Sequence, residues 1–273
     1  METVIDQCSL FSVYLETIFI DHCTGDEITL SNATGSLYQK NGQSFLVTNW
    51  HVLSGRNAEK GAPLNKMGAL PEKVAVFFPL DGAIGTTIKE SYSLIHKTGK
   101  NAWLQHRRGP AIDIALLPID LPKGISTVPI NSINEARGLK EFPPNIHVGQ
   151  EVFVLGFPFG IRNAGHLPIW KKASIASEPM IPVGDNEFKI LIDTATREGM
   201  SGSPVIIVGS PDAHIQFDHS LQTVAFRPYK LFVGIYSGRI GGNDELAAQL
   251  GIVWKESAVR EIIDTKVVYC DAC

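Results

Sequence analysis

Three side chains that together can activate a nucleophile lie far apart along the chain. Ser201 lies in the glycine-rich stretch TREGMSGSPVII, His51 follows the apolar run SFLVTNW, and Asp113 begins the run DIALLPI. A serine hydroxyl is a poor nucleophile until a base within hydrogen-bond reach takes its proton, and imidazole suits this task near pH 7. A carboxylate on the other ring nitrogen would hold the tautomer and stabilise the imidazolium that forms.

Each of these signals is ordinary when it is taken alone. Glycine, serine and proline are common turn residues, and a histidine or an aspartate often lies at the end of a strand. The competing motif Gly-x-Ser-x-Gly of the α/β-hydrolases fails here, because Ser203 occupies its fifth position. It fails again because both His51 and Asp113 precede Ser201, whereas the hydrolase order is serine, acid, histidine.

Taken together, the order and settings of the three residues resemble those of the chymotrypsin-fold serine peptidases. The closer resemblance is to the bacterial trypsin-like branch that includes the HtrA-like proteases, and TNWHV, DIALL and GMSGSP carry it. It extends over nearly the whole chain. It implies a serine endopeptidase without a cofactor, in which Ser201 is the nucleophile, His51 the base and Asp113, rather than Asp120, the orienting acid. The substrate would be a protein or a peptide.

The resemblance also implies an oxyanion hole and a substrate-binding wall. The N–H groups of Gly199 and Ser201 would converge on the oxyanion, and glycine can adopt the unusual backbone conformation this requires. Ala195 would lie at the base of the primary pocket, where the lack of an acid disfavours a lysine or arginine side chain and favours a small or apolar one. Ser237 would also hydrogen-bond Asp113. The implied substrate-binding residues are Ala195, Thr196, Glu198, Tyr236, Ser237, Gly238 and Arg239.

The sequence departs from the family in places that bear on regulation. Met200 stands where zymogen-activated relatives carry an aspartate, so we expect an enzyme that needs no N-terminal cleavage. Ser203 replaces a commoner glycine. We expect no PDZ-like module after the predicted domain, which leaves regulation by a separate protein open. A second function also stays open, that of a trypsin-fold binding or scaffold protein without turnover.

Short apolar runs bounded by glycine, proline, asparagine or aspartate dominate the chain and predict an all-β fold. Seven of these runs are 44–50, 74–80, 113–119, 151–157, 188–194, 203–209 and 231–237. Helical spacing of apolar residues predicts one helix, at 255–265. We therefore expect two six-stranded antiparallel β-barrels of the chymotrypsin type, at 1–135 and 136–273, with the helix and a cysteine-containing tail at the C-terminal end.

Composition excludes several classes of protein. The chain has 273 residues, 44% of them hydrophobic and 19% charged, as in ordinary globular proteins. A net charge of −4 argues against a nucleic-acid-binding surface. The N-terminal apolar run lacks a preceding basic residue and is interrupted by Glu16, and no stretch has the length of a membrane span. We expect a soluble, cytoplasmic protein that binds neither nucleic acid nor membranes.

Four cysteines lie near the two ends of the chain and none lies in its middle. They are Cys8, Cys23, Cys270 and Cys273. This distribution favours a reducing compartment and four free thiols. The CDAC ending also has the spacing of half a zinc site, which the other two cysteines would complete if the two ends of the chain met.

Overall fold

The structure, a computed structural model, describes residues 5–134, 146–163, 165–195, 198–209, 229–239 and 249–269. Its N-terminal half is one antiparallel sheet of eight strands. These strands are β1 Ser12–Ile20, β2 Glu27–Lys40, β3 Gln43–Thr48, β4 Lys73–Pro79, β5 Thr87–Ser93, β6 Leu104–Gln105, β7 Ala115–Ile119 and β14 Val267–Val268. Their order in the sheet is β14-β6-β7-β3-β2-β1-β4-β5.

The C-terminal half is a closed barrel of six strands in the order β10-β13-β12-β11-β8-β9. Its strands are β8 Glu151–Gly156, β9 Ile169–Ile175, β10 Lys189–Asp193, β11 Pro204–Gly209, β12 Tyr229–Arg239 and β13 Leu250–Lys255. All the ladders between neighbouring strands are antiparallel. Closure leaves the barrel without free edges, so its loops rather than its strands are available to carry a site.

The predicted all-β, chymotrypsin-like fold with a C-terminal helix is confirmed, but the N-terminal half differs in detail from a six-stranded barrel. Its sheet has eight strands, seven from the N-terminal half and the C-terminal strand β14, which pairs with β6 through Val267 and Val268. The division at residue 135 stays a prediction, since 135–145 lie outside the described residues.

The described residues also form two short α-helices, α1 at Trp50–Ser54 and α2 at Glu256–Thr265, and four short 3-10 helices. The predicted apolar face of α2 is buried, and it joins a core cluster to which both halves contribute. Its members include Phe45 from the sheet, Ile206 from the barrel and Ile262 from the helix. Burial of each such side chain stabilises the fold by about 1.5–3 kcal/mol. Through this shared cluster, α2 stabilises the association of the two halves.

No helix in the described part of the chain has the length and apolarity to cross a membrane.

Candidate active site

Helix α1 presents His51 at the end of strand β3. The strand ends at Thr48, two residues earlier than the apolar run predicts, and His51 is the second residue of the helix. The helix ends at Gly55, whose left-handed conformation (φ 65°) lets its N–H donate to the His51 carbonyl at 3.0 Å. A side chain at this glycine would overlap Pro71. The backbone on both sides of the imidazole is therefore fixed.

Asp113 lies against His51 and holds it at two points. One carboxylate oxygen lies 2.7 Å from His51 Nδ1, and the other accepts the His51 backbone N–H at 2.9 Å. The Asn49 side chain donates to the Asp113 carbonyl at 2.8 Å, which ties the segments after β3 and before β7 together. Asp113 is buried, whereas Asp120 is exposed at the far end of the same strand.

His51 also contacts Ser201, across the boundary between the two halves. Its Nε2 lies 3.0 Å from Ser201 Oγ, which completes a hydrogen-bonded chain from carboxylate to imidazole to hydroxyl. Burial lowers the pKa of the imidazole, but the charge and the hydrogen bond of Asp113 raise it, and the net shift is upward. The arrangement is that of a base hydrogen-bonded to both an acid and a hydroxyl.

The loop before Ser201 holds the peptide between Glu198 and Gly199 in a fixed orientation. Gly199 has a positive φ of 86°, and a Cβ there would overlap the Phe157 carbonyl oxygen. The carbonyl of the same peptide, that of Glu198, accepts from Phe159 N–H at 2.7 Å. Since N–H and C=O of a planar peptide point in opposite directions, the Gly199 N–H faces away from Phe159.

The N–H of Ser201, two residues further along the chain, is oriented in a similar way. The Met200 carbonyl accepts from Ser203 N–H at 3.0 Å, which turns the N–H of Ser201 the other way. Within the described residues, neither this N–H nor that of Gly199 donates a hydrogen bond. Two unpaired donors on one tight loop are what an oxyanion hole requires.

The two departures noted in the sequence, Met200 and Ser203, are both fully buried. The Met200 side chain lies in the apolar core of the barrel, in one cluster with Val152 and Val205. The Ser203 hydroxyl has no hydrogen-bond partner in the described part of the chain and lies against Gly156, where a Cβ would overlap it. Neither side chain offers a charge to the loop.

Tyr236 and Ser237 lie where β12 passes the serine loop. The Tyr236 backbone bonds Gly202 N–H at 2.9 Å and the Ser203 carbonyl at 2.8 Å, and its buried ring packs over Gly251. Ser237 occupies a register shift in the ladder with β13. The described structure has no hydrogen bond between Ser237 and Asp113, and both Asp113 oxygens lie against His51.

The remaining predicted substrate-binding residues are described to different extents. Ala195 is half-buried and Glu198 is exposed near the serine loop, and Gly238 is half-buried on β12 with a φ of 136°. Thr196 lies outside the described residues, and of Arg239 only the backbone, which pairs with Gly251, is described. The primary pocket is therefore described in part.

A small pocket of about 80 Å³, lined by residues that sequence reasoning missed, opens beside His51 and Ser201. Residues from β2, from α1 and from the loop after it complete its walls; they include Leu30, Asn32, Val52 and Leu64. The β2 segment is polar and lacks a strand-like apolar run, so nothing in the sequence linked it to the serine.

The cysteines do not form the suggested zinc site as a set of four. Cys8 is buried before β1 and Cys23 is exposed after it, so nine strand residues separate them, about 30 Å at the rise of a β-strand. Both cannot bind one zinc ion. Burial raises the pKa of the Cys8 thiol to about 11. Cys270 and Cys273 lie outside the described residues, and the described ones hold no cluster suited to a metal.

Comparison with known proteins bears on this site directly. Residues 33–208, well over half of the chain, match the family model described as a trypsin-like peptidase domain. The match includes all three residues of the hydrogen-bonded chain. A search of curated proteins found no match.

Proposed function

The chain belongs to the trypsin-like peptidase domain family, and from this premise we propose that it is a serine endopeptidase. The observation that carries the proposal is the continuous contact from Asp113 through His51 to Ser201, at 2.7 and 3.0 Å. Peptidases of this family act on proteins or peptides, and the substrate of this chain is of the same class.

His51 acts as the general base and then as the general acid. It takes the proton of Ser201 as Oγ attacks the scissile carbonyl carbon, and it gives that proton to the leaving amine when the C–N bond breaks. Water then attacks the acyl-enzyme, again through His51, and releases the second product. Asp113 keeps Nδ1 protonated throughout, so that Nε2 faces the serine.

The N–H groups of Gly199 and Ser201 bind the oxyanion that forms on the carbonyl oxygen. Because neither donates elsewhere in the described structure, both are available before substrate arrives. A single donor of this kind stabilises the transition state by about 2.7–4 kcal/mol. The loop therefore contributes mainly to the rate of the chemical step rather than to the binding of substrate.

We further propose a preference for a small or apolar side chain at the cleaved bond. Ala195, assigned to the base of the primary pocket, carries no charge to pair with a lysine or arginine. The Tyr236 ring fills the space over Gly251 on the neighbouring wall. The other family residues assigned to substrate binding are Thr196, Glu198, Ser237, Gly238 and Arg239.

A fluorophosphonate probe tests the proposal, because it labels only an activated serine. We expect labelling of the wild type at Ser201, mapped by mass spectrometry, and none in Ser201→Ala or His51→Ala. His22→Ala, which removes an exposed histidine on a distant turn, is the matched control and should label normally. A folded wild type that resists the probe and cleaves no peptide would favour the alternative, a trypsin-fold binding protein without turnover.

A further inference from the structure

Thr34, a fully buried residue of β2, makes three hydrogen bonds across the boundary between the sheet and the barrel. Its hydroxyl donates to the Gly199 carbonyl at 2.8 Å and accepts Phe157 N–H at 3.2 Å. Its backbone N–H donates to the Ser201 carbonyl at 2.8 Å. Its own carbonyl accepts from the Thr48 hydroxyl at 2.8 Å, on the neighbouring strand of its own sheet.

These bonds act on the loop that carries the two proposed oxyanion donors. The hydroxyl fixes the peptide after Gly199, and the backbone N–H fixes the peptide after Ser201. The two peptides that Thr34 does not hold, those after Glu198 and Met200, are the ones that contribute the oxyanion N–H groups. Thr34 therefore holds alternate peptides and leaves the N–H donors of the peptides between them unpaired in the described structure.

The surrounding glycines show how closely Thr34 approaches this loop. A Cβ on Gly202 would overlap the Thr34 carbonyl oxygen, and a Cβ on Gly156 would lie 2.9 Å from its hydroxyl. Both contacts are too tight for any larger residue. The sheet and the serine loop thus pack closely at Thr34. If the Thr34 hydroxyl were removed, there would be little room for a water molecule in its place.

We propose that Thr34 is a positioning residue that sets the oxyanion loop in its working geometry, an inference that rests on the proposed peptidase function. Position 200 supplies no ionic anchor to the loop, because Met200 is apolar and buried in the barrel core. The hydroxyl of Thr34 supplies the missing constraint from the opposite half. It does so without touching the substrate.

The test replaces the hydroxyl by a methyl group in Thr34→Val and follows hydrolysis of a small apolar peptide ester. Oxyanion donors act mainly in the transition state, so we expect kcat to fall by about 10²-fold while KM stays within about threefold. Thr34→Ser, which keeps the hydroxyl, should restore most of kcat. The affinity for a peptidyl boronic acid, whose tetrahedral adduct uses the same donors, should fall in parallel, and the affinity for the product peptide should not.

Ser12→Ala is the matched control. The Ser12 hydroxyl also crosses from the sheet to the barrel, where it donates to the Leu155 carbonyl at 2.9 Å in a buried setting. The control should lose stability comparable to Thr34→Val while kcat is unchanged. A Thr34→Val variant with normal kcat, or one whose kcat loss Ser12→Ala reproduces, would overturn the inference.

Two further outcomes are distinguishable. If Thr34→Val does not fold, Thr34→Ala removes the same hydroxyl without the added methyl group, and failure of both to fold would make Thr34 a stability residue and overturn the inference. If the folded wild type neither hydrolyses esters nor labels with a fluorophosphonate, the proposed function itself is wrong and the inference falls with it. If the wild type is active but the Thr34→Val result contradicts the inference, only the role of Thr34 is overturned, and the peptidase proposal stands.

Discussion

The two halves of the molecule hold their parts of the site in different ways. The sheet fixes His51 and Asp113 by itself, since their strands β3 and β7 are direct neighbours that pair Thr48 with Ala115. The barrel does not fix Ser201 by itself, because Thr34, a residue of the sheet, holds the carbonyls on both sides of Met200 in the serine loop. The sheet alone thus positions the base His51, whereas contacts between the sheet and the barrel position the nucleophile Ser201.

This difference predicts how each part fails. A change within β3 or β7 should alter the proton chemistry of His51 and leave the serine loop in place. Loss of the Thr34 hydroxyl, at the boundary between the halves, should alter the oxyanion donors and leave the base intact. The core cluster shared by sheet, barrel and α2 holds the boundary together, so exposed contacts should contribute little to it.

The largest expected effect concerns the acid in the sheet. Asp113→Asn should lower turnover by about 10⁴-fold, because an amide stabilises the wrong tautomer of His51, an effect of the size seen in a well-studied protease. Asp120→Asn, an exposed substitution at the other end of the same strand, should leave turnover within about threefold of wild type. Steady-state ester hydrolysis measures both. Equal losses in the two variants would show that Asp113 is not the orienting acid.

The next effect concerns the barrel side of the comparison. Met200→Asp places a carboxylate in a fully buried apolar site and should lower the free energy of unfolding by about 3–5 kcal/mol, as an unpaired buried charge does. Met180→Asp, at a methionine that is 88% exposed, is the control and should change stability by less than about 0.5 kcal/mol. Urea denaturation gives both values. A Met200→Asp variant as stable as wild type would show that a cation reaches this position.

A smaller effect is expected in the pH dependence. Only neutral His51 can accept the serine proton, so kcat/KM should rise with pH through the pKa of this imidazole. That pKa is raised, since burial lowers it but Asp113 raises it by more, so the rise should lie above the ordinary histidine value of about 6.5. In Asp113→Asn the increase of residual activity with pH should occur at lower pH than in the wild type, because loss of the negative charge lowers the pKa of His51. His22→Ala should leave the wild-type profile in place, and a rise below pH 6.5 in the wild type would contradict the assignment.

Much of the fold could be predicted from the sequence because its strands are marked by apolar runs. All seven predicted runs overlap strands, and the helix predicted at 255–265 is present at Glu256–Thr265. The polar strand β2 was missed, since the first half of its fourteen residues is mostly exposed. Its residues around ATGS are of turn-forming types, and only pairing with β1 and β3 makes them a strand.

The site was predictable to the extent that local motifs mark it. The three residues of the hydrogen-bonded chain each lie in a recognisable setting, and Gly199 is required by a positive φ. Thr34 was not predictable, because its partner Gly199 is 165 residues away and no local spacing links them. The hydrogen bond expected from Ser237 to Asp113 is also absent from the described structure, and no local motif predicts the register shift in β12 at which Ser237 lies.

The smallest expected effect concerns an exposed ion pair that joins the two halves. Asp6, just before β1, lies 2.9 Å from Lys230 on β12, and the two side chains are 51% and 34% exposed. Asp6→Asn should lower the free energy of unfolding by less than about 1 kcal/mol at pH 7, because exposed pairs are weak and an amide oxygen can still accept the Cys8 N–H.

The pH dependence of the stability lost in Asp6→Asn shows whether the charge of Asp6 is its cause. Burial raises the pKa of Asp6, but the hydrogen bonds from Lys230 and Cys8 lower it by more, so the net shift is downward. A lowered carboxyl pKa stabilises the fold above the unfolded value of about 3.9 and loses that contribution as pH falls through the folded value. The difference between wild type and Asp6→Asn in urea denaturation should therefore vanish below that range.

Glu16→Gln, which removes a pair with Lys89 inside the sheet, is the control. It should lower the free energy of unfolding by at least as much as Asp6→Asn, since crossing the boundary confers no special strength on an exposed pair. A loss above about 2 kcal/mol in Asp6→Asn alone would mean that charge, rather than the shared core, holds the two halves together.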